Sequence, residues 1–150
     1  MIYLKSVTGT DTINIVWLNL IDRIKDDTVP PTDWSWLMEF TNDFTKKSKT
    51  IVQVLGNSVN YIKGSNTVGL AIVAKAGGSA NPFLQEILME DMGYYSYKIW
   101  IQSSFTNLDV DDALVGNLVQ TGKALVYNDT PEQTYSSLTD GNPTNFIHVP

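Results

Sequence analysis

The segment 33–41 limits the possible folds of this chain more than any other. Trp34, Trp36, Met38 and Phe40 alternate there with Asp33, Ser35, Glu39 and Thr41. Successive side chains of a strand point to opposite faces, so a period of two among large apolar residues builds one face of a β core, not a helical stripe. Only Leu37 departs from the alternation. A second segment, 93–102, repeats the device with Tyr95, Tyr97, Ile99 and Ile101 on one face. Apolar faces of this kind are satisfied by a second sheet packed against them.

The rest of the chain reads as short strands between turn residues. Residues 2–4 suit a short edge strand. In 12–20, Ile13, Ile15 and Trp17 occupy one face and Val16, Leu18 and Leu20 the other, which predicts either burial on both sides or a bulge that shifts the phase. Pro30 and Pro31 mark a loop, because they have no amide hydrogen to give to a ladder. Strands follow at 51–55, at 61–63 before the turn Gly64-Ser65-Asn66, and at 67–74. Residues 76–82 form a Gly-rich loop. The segment 83–92 permits a short helical turn through Phe83, Leu84, Ile87 and Leu88, but the β character of its neighbours favours a strand at 86–89. A polar loop at 106–116 precedes 118–128, the expected antiparallel partner of 93–102. A polar arm from Asp129 leads to a last short strand at 146–149. About eight strands with turn signals every 8 to 12 residues or so predict one all-β domain over 1–150, an antiparallel sandwich of about 7–9 strands with a C-terminal arm at about 129–150.

Composition excludes several function classes. Acidic residues number 16 against 10 basic ones, and Arg23 is the only arginine. A nucleic-acid groove needs spaced cations over one face, so the lysine cluster Lys46-Lys47-Ser48-Lys49 is a poor start for one. No cysteine is present, which removes disulfides and thiolate sites. The N-terminus enters a strand pattern without a basic and then apolar leader, and no apolar run is long enough for a membrane-spanning helix, so a soluble chain complete from Met1 is expected.

Residues able to carry chemistry are equally sparse. His148, the one histidine, is three residues from the C-terminal end of the sequence and cannot supply a two-histidine metal site. Asp109, Asp111 and Asp112 with Asn107 are the best candidates for a hard cation, but the glycine and later glutamate of an EF-hand loop are missing. Carboxylate pairs such as Glu39 with Asp43 or Glu90 with Asp91 are no closer than chance among many surface acids. No enzyme and no cofactor are therefore expected. Trp34 and Trp36 belong to the apolar stripe. Trp100 shares a face with Ser96, Lys98 and Gln102, which makes it a candidate interface anchor or sugar platform.

Glu90-Asp91-Met92-Gly93-Tyr94-Tyr95 resembles the corner of immunoglobulin-like domains, where a tyrosine hydroxyl at the start of a late strand caps backbone upstream. A wider set of segments carries a second resemblance. It comprises Met1-Ile2-Tyr3-Leu4, Glu39-Phe40-Thr41-Asn42-Asp43, Gly93 through Trp100, Ser103-Ser104 with Asn107-Leu108-Asp109, Val119 through Val126, and Phe146-Ile147-His148-Val149-Pro150. Together these are similar to the small β-rich virion proteins of crAss-like and related tailed phages of Bacteroidota, of head-fibre or capsid-decorating type.

That resemblance implies a structural protein made in the bacterial cytoplasm and built into the virion, with copies of itself and other virion proteins as partners. Trp100, Tyr94, Lys98, Phe146 and His148 are the contact residues expected on this reading. The alternative is a carbohydrate-binding or adhesion module of a tail or fibre, with a glycan held at Trp100.

Overall fold

The computed structural model describes residues 1–9, 11–20, 23, 34–54 and 67–128. The strand expected at 61–63, the proline loop, the C-terminal arm and the strand expected at 146–149 lie outside these residues. Among the described residues eight strands are formed: β1 (Ile2–Lys5), β2 (Thr12–Asn19), β3 (Ser35–Asn42), β4 (Ser48–Val54), β5 (Thr67–Lys75), β6 (Glu86–Leu88), β7 (Gly93–Gln102) and β8 (Val115–Tyr127). They make a five-stranded sheet, β1-β8-β7-β3-β4, and a three-stranded sheet, β2-β5-β6. Among the described residues there is no α-helix, and the protein is all-β with a sandwich-like pair of sheets.

The alternating residues do what their spacing predicts. Trp36, Met38 and Phe40 on β3 face Ile101, Ile99 and Tyr97 on β7 across the ladder, and all six are buried. Leu4 and Ile51 add to them from the same sheet, and Val16, Leu70, Ile72 and Ile87 close the core from the smaller one. Each fully buried side chain of this kind stabilises the fold by about 1.5–3 kcal/mol before entropy is counted.

Two expectations need correction. The sheets are not wholly antiparallel, since β1 runs parallel to β8 and β6 parallel to β5. Hairpin loops force antiparallel neighbours, but β1 and β8 are joined only through most of the chain, so no loop sets their direction. β2 is neither buried on both sides nor bulged. It pairs in unbroken register with β5, sends Val16 and Leu18 inward, and leaves Ile13, Ile15 and Trp17 exposed. The strand expected at 86–89 is formed, as β6 over Glu86–Leu88. A single 3-10 turn at Pro82–Leu84, capped by the Asn81 side chain, hands over through Gln85 in a left-handed conformation to β6.

Carboxamide side chains lace the two sheets together at opposite ends. Asn14 of β2 reaches the edge of β1, accepting from the Lys5 N–H at 2.7 Å and donating to the Lys5 carbonyl at 3.0 Å. Ser6, the next residue, turns its N–H the other way to Tyr127, so the Asn14 amide stands where a further strand would pair. At the other edge of the larger sheet, buried Gln53 of β4 donates to the Ala71 carbonyl of β5. Replacing Asn14 by Ala removes two backbone bonds between the sheets, a cost of about 2 kcal/mol. Urea unfolding of Asn14→Ala should show a lower midpoint with an unchanged slope; an unchanged midpoint would mean the bonds add nothing.

Candidate functional site

The outer face of β7 carries Tyr94, Ser96, Lys98 and Trp100. Trp100 is half-buried beside Leu37, its cross-strand neighbour on β3. Leu37 is fully buried on this outer face together with Val52 of β4, its partner on the other side. Leu37 therefore breaks the alternation because part of the outer face is itself covered. Lys98 lies with Nζ 5.7 Å from the centre of the Trp100 ring and 3.8 Å from Glu39 Oε2. One face of the indole is thus already engaged by a cation of the same chain. Tyr94 sits six residues from Trp100 along the strand, about 20 Å away, so the two do not form one site. Phe146 and His148 lie outside the described residues.

The acidic loop is occupied with its own backbone. Asp109 Oδ1 accepts from the Asp111 N–H at 3.0 Å, Asp112 Oδ1 from the Leu114 N–H at 2.8 Å, and Asn107 Oδ1 from the Asp109 N–H at 2.9 Å. These are side-chain caps of successive turns, which explains the spacing of the acids without a cation. Among the described residues, no three His, Cys, Asp or Glu side chains converge as metal ligands.

One triangle has the composition of a nucleophilic site. The Ser96 hydroxyl donates to Asp43 Oδ1 at 2.7 Å, and Lys123 Nζ donates to Asp43 Oδ2 at 2.7 Å and to Ser96 Oγ at 2.9 Å. A serine nucleophile needs a neighbouring base to take its proton. Lys123 here is a donor to both partners. The hydrogen bonds from Lys123 and Ser96 hold the Asp43 carboxyl below its ordinary value, which makes it a weaker base still. The triangle ties the end of β3 to β7 and β8.

The corner anticipated before β7 is formed by Tyr95, whose hydroxyl donates to the Asp91 carbonyl at 2.7 Å. Burial pushes its phenol above the usual value, with smaller upward contributions from Asp91 and Glu90 and an opposing hydrogen bond from Asn42. A group held protonated in the fold contributes fully below the unfolded phenol value, about 10, and that contribution is lost as pH rises through the higher folded value. Tyr95→Phe should cost about 1 kcal/mol at neutral pH. The stability difference between the two proteins should shrink above about pH 10. Urea titrations from about pH 7 to about pH 11, either side of the phenol value, check both parts; a constant difference would sink the second.

The most prominent surface was not singled out from the sequence. Ile13, Ile15 and Trp17 are 66%, 51% and 50% exposed and line one face of β2. Their cross-strand neighbours on β5 are Val73, Ala71 and Gly69, so no charge interrupts the stripe. One end is rimmed by Lys75, which pairs with Asp11 at 3.4 Å and Glu86 at 3.0 Å. The hydrogen bond to Glu86 leads in holding Lys75 protonated, while the Asn81 N–H and Lys75 hold Glu86 ionised. An apolar strip with an ion-paired rim has the anatomy of a protein contact surface. The apolar character of both faces of β2 was the only signal for it. Compared with known proteins, the chain matches no protein family and no curated protein.

Proposed function

We propose that this chain is a non-enzymatic structural subunit of a tailed-phage virion, of head-fibre or capsid-associated type, acting through protein–protein contacts. The observation that carries the contact role is the exposed Ile13–Ile15–Trp17 stripe on the smaller sheet. Copies of the chain and neighbouring virion proteins are the partners. The virion assignment rests on the resemblance of the ordered segments from Met1-Ile2-Tyr3-Leu4 to Phe146-Ile147-His148-Val149-Pro150.

An immunoglobulin-like sandwich is the finer reading of the fold. In its favour, the last two described strands and the third and fourth lie side by side as β8-β7-β3-β4, the order of the strands G, F, C and C′ in variable-type domains. The buried Trp36 on β3 and the Tyr95 hydroxyl bond at the start of β7 support it, since that fold has a strand-C tryptophan and a tyrosine corner. The departure is β6, which follows β5 in the chain and runs parallel to it.

Immunogold electron microscopy of the phage encoding the chain tests the virion assignment. Label on the capsid or its fibres is expected; particles without label, with the epitope accessible, would remove it.

A further inference from the structure

A second surface, of different chemistry, lies on the outer face of the larger sheet near the start of β1. Tyr3 of β1 and Tyr94 of β7 both stand opposite Leu125 of β8. The three form one row across adjacent strands, with the tyrosines 60% and 57% exposed. Two inter-strand steps separate the tyrosines at the backbone, about 10 Å. Lys123 and Ser96 make the next row on the same face, joined to Asp43 in the hydrogen-bonded triangle. Beyond Tyr94 is a shallow groove lined by Phe44, Met92, Glu90 and Asp91.

We propose that this Tyr3–Leu125–Tyr94 platform binds a neutral glycan chain. An aromatic ring presents a negative face, which suits the weakly positive C–H face of a pyranose, and its flat surface costs little side-chain entropy to order. Sugar hydroxyls require a donor and an acceptor held close together. Lys123 Nζ and the Asp43 carboxylate supply that pair already fixed in position, so the ordering cost falls before the ligand arrives. The charges in the pair cancel, and Glu90 and Asp91 in the adjoining groove repel a polyanion. That balance selects an uncharged ligand. The Ile13–Ile15–Trp17 stripe has one aromatic ring beside two branched aliphatics and no polar side chain opposite it on β5, the chemistry of a dry protein contact. The row spans a short oligosaccharide rather than one sugar, because its two rings lie two strands apart. The proposal stands on its own observations and does not require the chain to belong to a particle.

Native affinity electrophoresis of the full chain tests it, with gels containing hydroxyethylcellulose, xylan, mannan or laminarin, and alginate and heparin as anionic comparators. Retardation is expected in at least one neutral gel. Tyr3→Ala and Tyr94→Ala should each weaken it at least tenfold while unfolding at the same temperature as the parent. Tyr94→Phe keeps the ring and should retain most of the binding, and Trp100→Ala should leave it unchanged. No retardation in any neutral gel, retardation by the anionic polymers alone, or retardation indifferent to both alanine variants would each overturn the proposal.

Discussion

Gly122→Val is expected to unfold at a temperature roughly 9 °C below the parent, a loss of about 3 kcal/mol. Gly122 lies opposite Tyr97 in the ladder between β7 and β8, on the core side of the sheet. A side-chain carbon built there would stand 2.6 Å from the Tyr97 hydroxyl oxygen and 2.7 Å from two of its ring carbons. The tyrosine cannot simply swing away. Its ring centroid is 6.2 Å from that of buried Phe40, and its hydroxyl accepts a 2.8 Å hydrogen bond from Gln120. Overpacking of this kind is relieved only by backbone shifts or strained rotamers. Calorimetry of Gly122→Val, and of the same change in a Tyr97→Leu background, provides the check. Part of the loss should be recovered in the double variant because the two sites share the clash. An unaltered melting temperature in Gly122→Val would show that Tyr97 moves freely.

Ile15→Lys should leave the fold almost untouched, within about 0.5 kcal/mol, because the side chain it replaces is on the exposed face of β2. On the contact role proposed above, its effect on assembly should be large. Ile15 is the middle residue of the stripe, where an interface is driest and where a single side chain contributes about 2 kcal/mol or more, roughly thirtyfold in affinity. A lysine at that place would have to be buried with no acid within the strip to pair with it. Quantitative immunoblots of purified particles made with the Ile15→Lys chain, set against thermal unfolding of the isolated protein, separate the two effects. Normal incorporation of the variant would remove the stripe as the contact surface, whatever its place in the particle.

Most of the fold was legible, and for a reason that can be stated residue by residue. In β3 and β7 only one face carries the continuous run of large apolar residues, so Trp36, Met38, Phe40, Tyr95, Tyr97 and Ile99 could be assigned to the core from spacing alone. The hydrogen bond at the start of β7 was legible because it is local: the Tyr95 hydroxyl reaches a carbonyl only four residues upstream. The acidic loop was legible as a loop, although the work of its carboxylates as caps was not, because capping depends on backbone angles that composition does not encode.

The candidate surfaces were hidden for the opposite reason. In β2 both faces are apolar, so the pattern Ile13–Ile15–Trp17 against Val16–Leu18–Leu20 is symmetrical to a reader of the sequence. Pairing with β5 and the approach of β1 through Asn14 decide which set enters the core. The platform joins Tyr3, near the start of the described chain, to Tyr94 and Leu125, and no spacing rule relates them. Trp100 could be placed on the outer face by parity, but the Lys98 cation over its ring and the buried Leu37 beside it are properties of the assembled sheet.

By itself, then, the sequence determined the β class, the identity of the core strands and the local turn chemistry, since these depend on periodicity and on neighbours within a few residues. Tertiary structure alone decided the parallel course of β1 beside β8, the outward face of β2 and the tyrosine row, because each depends on which distant strands come to lie side by side. Backbone hydrogen bonding is the same for nearly every residue, so strand neighbours are chosen by the packing of whole faces, and that choice is made only when the chain is folded.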